Sequence, residues 1–143
     1  MGHGRSGAAA QHIAVELVGC YMCERKGLAA IALTTDTSIL TAVGNDYGYD
    51  AIFSRQVEAL ASPQDIIVAY STSGNSSNVL AAVKTAQTMG CYTSALTGES
   101  GGQLKAIVDT CICVPSAATP RIQEAHAFIG HMLCAAVDAE FPA

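Results

Sequence analysis

Four short apolar runs punctuate the chain: AAIALT at 29–34, DIIVAYS at 65–71, CYTSALT at 91–97 and TCICVP at 110–115. Each is apolar nearly throughout rather than alternating, as a strand reads when helices cover both of its faces. Stretches with helical character lie around them, at 8–23, 50–60, 76–89, 102–108 and 121–139. The third of these runs into Gly90, a common helix stop. Strand and helix in alternation predict an α/β fold, doubly wound around a parallel sheet. The 143 residues suffice for one domain with a real core, and 1–143 reads as a single domain without repeats or linkers.

Composition narrows the function classes. Apolar residues make up 50% of the chain and charged residues 13%, yet no apolar run is long enough to span a bilayer, and no signal peptide opens the chain. The net charge of −5, with no block of Lys or Arg, argues against nucleic acid or an anionic membrane as partner. So few charges suggest further buried surface, and hence a homo-oligomer. The six cysteines, at 20, 23, 91, 111, 113 and 134, read as reduced thiols of a cytoplasmic protein. Cys20 and Cys23 form a Cys-x-x-Cys, but a zinc ribbon needs a second such pair, and Cys111-x-Cys113 has the wrong spacing.

Chemistry is concentrated in a few places. Directly after the run at 65–71 comes STSGNSS, Ser71 to Ser77, which leads into the 76–89 helix. Ligands of open α/β sheets sit beyond the carboxyl ends of the strands, and a helix N-terminus there offers free N–H groups to an anion. Ser71, Thr72, Ser73 and Ser76 add hydroxyls, and Gly74 lets the backbone come close. No lysine follows, so this is not a Walker A loop; a phosphomonoester such as a sugar phosphate fits better. An ordinary N-cap at Ser76 behind a polar loop would look similar. His12 and Glu16, four apart on a helix, share a face and could bind a metal, move a proton, or form an exposed pair. In the last helix Gln123 and His131 lie two turns apart on roughly one face, while His126 is rotated away and reads as a support or a core histidine. Asn45 and Asp46, in GNDYGYD, could bind sugar hydroxyls or serve a turn. TGESGGQL at 97–104 reads as a structural turn.

Taken together, QHIAVEL, AIALTTDTSILTAVGNDYGYDAIFSRQVEAL, STSGNSSNV, LTGESGGQL and RIQEAH with its downstream His131 resemble the sugar isomerase (SIS) domain family, and within it the phosphoheptose isomerases. The resemblance implies a three-layer αβα sandwich with a five-stranded parallel sheet, in a homotetramer with sites between subunits. It implies isomerisation of sedoheptulose 7-phosphate to D-glycero-D-manno-heptose 7-phosphate, on the route to ADP-heptose. Carried over by position, Ser71, Thr72, Ser73 and Ser76 hold the phosphate, and Ser6, Asn45, Asp46 and Gln123 bind the sugar. Glu16 and His131 are the acid/base pair, and zinc, where present, is held by His12, Glu16, Gln123 and His131. A non-catalytic SIS sugar-phosphate module that binds the replication initiator is the alternative, but such members lack the counterparts of Glu16 and His131. The departures are specific. The family's opening helix and first strand have no counterpart ahead of Met1, so the sheet is expected to lose one strand. Arg5 and Cys20 stand where the family has glycine and often arginine, and Pro120 where some members have aspartate.

Overall fold

The computed structural model describes residues 1–141. Three parallel strands form its sheet, β1 (Ile66–Ser71), β2 (Tyr92–Thr97) and β3 (Thr110–Cys113), in the order β1-β2-β3. Register runs from Ile66 opposite Tyr92 to Ser71 opposite Thr97, and from Ser94 opposite Thr110 to Thr97 opposite Cys113. Six helices accompany it: α1 (Arg5–Val18), α2 (Thr37–Tyr47), α3 (Ser54–Leu60), α4 (Ser77–Thr88), α5 (Leu104–Ile107) and α6 (Thr119–Glu140).

The sheet is covered on both faces because successive side chains of a strand point to opposite sides. Ile67, Ala69, Ala95 and Cys111 join Ile52, Phe53, Val57, Val79 and Val83 on the α3/α4 side. Val68, Tyr70, Leu96 and Ile112 join Ala9, Ala10 and Ile129 on the other, where α1 packs against α6. The result is the αβα sandwich that the continuous apolar runs imply.

Two expectations are corrected. The run at 29–34 is not a strand, because no described strand lies beside it to accept its backbone hydrogen bonds. Beyond β1, on the edge away from β2, the ladder continues through Met1, whose amino group donates to Val68 O at 2.8 Å and whose carbonyl accepts from Tyr70 N at 2.8 Å. Met1 therefore sits opposite Ala69 as a parallel strand residue would. The segment Gly2–Gly4 that leads into α1 therefore leaves from a sheet position, although no strand is expected ahead of it from the sequence. The helix expected over 8–23 ends at Val18, because the backbone N–H groups of Met22 and Cys23 go to the Asp138 carboxylate instead of a further helical turn.

The remaining boundaries are close. The 50–60 stretch divides into a 3-10 turn, Tyr49–Ala51, and α3. The helix α2 was not expected; Asp36 caps it, accepting from Ile39 N at 2.9 Å. All six cysteines are free thiols, and among the described residues no helix is long and apolar enough to cross a membrane.

Candidate active site

Two clusters of the expected residues form. The first is the turn between β1 and α4. Ser71 is buried, and its Oγ accepts from Gly74 N at 3.1 Å and lies 3.3 Å from Ser76 Oγ. Ser73 Oγ accepts from Asn75 N at 3.2 Å. A hydroxyl that accepts from a backbone N–H keeps its own proton to donate, so both serines can offer O–H to an anion. Ser76 stands at the N-cap of α4, yet its side chain makes no capping bond, so the plain helix-cap reading fails.

The segment 97–104 buttresses this turn. Gly98 N donates to Thr72 O at 3.0 Å, Leu104 N to Gly74 O at 3.0 Å, and Gln103 N to Asn75 Oδ1 at 3.0 Å. The two backbones come so close that a Cβ on Gly74, whose φ is 67°, would overlap the carbonyl of Gly101. Gly74, Gly98 and Gly102 are therefore demanded by this approach.

The second cluster joins α1 to α6. His12 Nε2 lies 2.7 Å from His131 Nε2 and 3.5 Å from Glu16 Oε1. One donor atom from each of His12, Glu16 and His131 fits within 4.8 Å of the others. Two imidazole nitrogens and a carboxylate oxygen suit a divalent cation of intermediate softness, so the three residues fit a metal centre. Gln123 lines a cavity of about 380 Å³ together with His12, Arg5, Pro120 and Glu124. Arg5 and Pro120, both departures from the resembled pattern, therefore face the same space as His12.

The approach of the two helices depends on Gly130, the residue before His131. A Cβ there would stand 2.5 Å from Ile13 Cδ1, next to His12 on α1. Beneath it the Tyr70 phenol is buried without a hydrogen-bond partner among the described residues, and burial, reinforced by Cys134, pushes it up to about 12. His126 is not in this cluster. It is buried, its Nε2 lies 3.1 Å from Thr97 O, and burial lowers its pKa, so it is a core histidine that ties α6 to β2.

The other expected residues lie elsewhere. Ser6 is buried in the first turn of α1, with its N–H on His3 O at 2.9 Å. Asn45 and Asp46 are exposed in the last turn of α2, where Asn45 Nδ2 donates to Asp46 Oδ1 at 2.7 Å; the structure does not bring them to either cluster. Sequence reasoning passed over His3 and Asn78. His3 Nε2 lies 2.6 Å from Asn78 Oδ1 and His3 Nδ1 3.2 Å from Tyr49 OH, which ties the opening turn to the first turn of α4. Both helix N-termini thus face the carboxyl edge of the sheet. The place of Asn78, just inside the helix after the hydroxyl loop, was the available signal.

Comparison with known proteins identifies the family. The sequence model of the SIS domain matches residues 1–98. The chain is 56% identical over 140 residues to a protein named probable phosphoheptose isomerase from Thermoplasma acidophilum, across 98% of the chain and 77% of the relative. It is 59% identical over 138 residues to the phosphoheptose isomerase of Geobacter sulfurreducens, across 96% and 73%. Among solved structures, a phosphoheptose isomerase from Francisella tularensis superposes with a TM-score of 0.93 at 44% identity, covering 96% of this chain and 74% of that one. One from Neisseria gonorrhoeae does so at 0.91 and 48%, covering 97% and 74%. The chain belongs to the SIS domain family.

Proposed function

We propose that this chain isomerises sedoheptulose 7-phosphate to D-glycero-D-manno-heptose 7-phosphate. The observation that carries the reading is the convergence of His12, Glu16 and His131 in a chain that resembles phosphoheptose isomerases over most of its length. A sugar-phosphate module without chemistry has no use for that convergence, which favours the enzyme over the binding module.

The phosphate sits on Ser71, Thr72, Ser73 and Ser76, at the N-terminus of α4. His12, Glu16 and His131 belong to α1 and α6, so the reacting end of the sugar and its phosphate are held by different elements. A substrate phosphorylated at C7 and reacting at C1 and C2 suits two separate holding points. Gln123, which shares a cavity with His12, binds a sugar hydroxyl; Ser6, Asn45 and Asp46, which lie outside both clusters, would reach the sugar only in the assembled oligomer.

The reaction removes a proton from C1 of the ketose while the carbonyl oxygen at C2 gains one, giving the enediol. A proton returned to C2 and one lost from the C1 oxygen complete the aldose, so atoms and charge balance. Glu16 and His131 supply this traffic, one working at the carbons and the other at the oxygens. His12, Glu16, Gln123 and His131 would hold zinc. A bound zinc ion supplies charge that polarises the carbonyl and stabilises the enediolate.

The chain forms a single SIS domain and works in the cytoplasm as a homotetramer. Supporting assembly, α1 and α6 together expose Val15, Val18, Phe128 and Met132, an apolar surface that water does not favour. The direct test is incubation with sedoheptulose 7-phosphate, with and without added zinc, following aldose formation by NMR. Aldose at a rate proportional to enzyme is expected; binding without conversion under both conditions would point to the sensor.

A further inference from the structure

The Cys20-Tyr21-Met22-Cys23 segment has thiols that face solvent and take no part in the chemistry above. Its tyrosine is placed differently. The Tyr21 ring lies over the His131 imidazole, with centroids 5.3 Å apart and planes 20° from parallel. His12 meets the same imidazole edge-on, at 5.0 Å and 69°. The His131 ring is thus covered on one face and met at Nε2 by a second histidine.

A buried ion pair anchors the segment. Arg25 Nε donates to Asp138 Oδ1 at 2.8 Å, and the two side chains are 1% and 4% exposed. Asp138 Oδ2 accepts from Met22 N at 2.8 Å and Cys23 N at 3.1 Å, the two residues after Tyr21. Those N–H bonds, that of Met22 first, and the Arg25 guanidinium hold the Asp138 carboxyl below the usual carboxylate range. The remaining Arg25 nitrogens donate to Glu16 O at 2.8 Å and Leu17 O at 2.9 Å. Asp138 follows His131 by seven residues, nearly two helical turns, so both project from one side of α6. One arginine therefore grips the backbone of Glu16, the segment that carries Tyr21, and the helix that carries His131. A connecting loop has no need of a buried charged pair, whose desolvation is unfavourable.

We propose that Tyr21 is a positioning residue for the isomerisation: it stacks on His131 and fixes the rotation of the imidazole, so that Nε2 faces His12 and Glu16, with the Arg25–Asp138 pair as its anchor. The inference rests on His131 being a reacting group. Rotation of an imidazole about χ2 is soft and broad, so packing must select its orientation. A misdirected ring lowers the rate of the chemical step and leaves phosphate binding alone.

The experiment compares Tyr21→Leu and Tyr21→Phe with the parent chain. Steady-state kinetics give kcat and KM, and NMR reads the His131 ring protons, assigned by their loss in His131→Ala. Tyr21→Leu is expected to lower kcat roughly 10-fold with KM nearly unchanged, and to move the His131 protons downfield as the ring current disappears. Tyr21→Phe is expected to keep both parental values, since it keeps the stacked face. Asp138→Asn, which loosens the anchor, is expected to move the His131 protons in the same direction as Tyr21→Leu. The proposal is overturned if Tyr21→Leu retains the parental kcat or the parental His131 shifts, or if Tyr21→Phe is as impaired as Tyr21→Leu. If the parent itself shows no turnover, the isomerase reading fails, while the NMR comparison still decides whether Tyr21 orients His131.

Discussion

The Nε2 atoms of His12 and His131 lie 2.7 Å apart although 119 positions separate them in the chain. Two neutral imidazoles meet this way only if one donates and the other accepts, and a shared cation satisfies both lone pairs equally well. The contact exists because α1 and α6 pack closely; Glu16, one turn on from His12 in α1, lies 3.5 Å from the same His12 nitrogen.

Glu16→Gln and His131→Ala should each reduce turnover of sedoheptulose 7-phosphate by about 100-fold or more, the usual contribution of a positioned acid or base. KM should change far less, because the phosphate is held elsewhere. Full turnover in either variant would remove that residue from the acid/base pair.

Zinc titrated against a chromophoric chelator should bind at one equivalent per chain, and His12→Ala should weaken it by at least about 10-fold. Uptake should also weaken as the pH falls, because imidazoles coordinate only when neutral. Equal affinity in parent and variant would move the metal away from this cluster.

Ser76→Ala separates an anion site from a helix cap. A capping serine replaced by alanine destabilises by about 0.5–2 kcal/mol. Since Ser76 makes no capping bond, its replacement should shift stability by less than about 0.5 kcal/mol while raising KM several-fold. Thermal unfolding and steady-state kinetics on the same sample decide this; a clear loss of stability at unchanged KM would restore the capping role.

Gly130→Ala should destabilise the chain by about 1–3 kcal/mol, because the added methyl would stand 2.5 Å from Ile13 Cδ1. It should also lower activity by moving His131 away from His12. Adding Ile13→Ala makes room for the methyl, so the double variant should lose less than the sum of the two singles. Simple additivity in denaturant unfolding would show that the two side chains do not compete for space.

Acid should destabilise the fold partly through His126. Burial holds its folded-state pKa below the ordinary value near 6.5, so below about pH 6.5 the unfolded chain binds the extra proton more readily. The stabilisation is therefore present above that pH and is lost as the pH falls towards the folded value. Unfolding midpoints between pH 7 and pH 5 should drop less steeply in His126→Gln than in the parent; parallel curves would mean that His126 does not contribute.

Much of the candidate site was legible because it is written locally. The hydroxyls at 71–76 follow an apolar strand and precede a helix, and that order alone places them at a carboxyl sheet edge. His12 with Glu16, and Gln123 with His131, share helix faces by spacing. What failed did so for non-local reasons. The run at 29–34 has strand composition, but a strand exists only with a partner, and no described strand lies beside it. The helix over 8–23 was overextended because Asp138, more than 110 residues away, takes the N–H groups of Met22 and Cys23. Cys-x-x-Cys drew attention to its thiols, whereas Tyr21 between them is the side chain that meets His131.

From sequence alone came the alternation of strand and helix, the covered sheet, the hydroxyl-rich turn and the identity of the polar residues, since each depends on neighbours within a few positions. Tertiary structure decided which of those residues meet. Gly130 lets α6 approach α1, Gly74 lets the 97–104 segment close on the hydroxyl turn, and Arg25 with Asp138 sets where α1 ends. Those outcomes depend on volume and charge brought together by packing, which spacing along a chain does not encode.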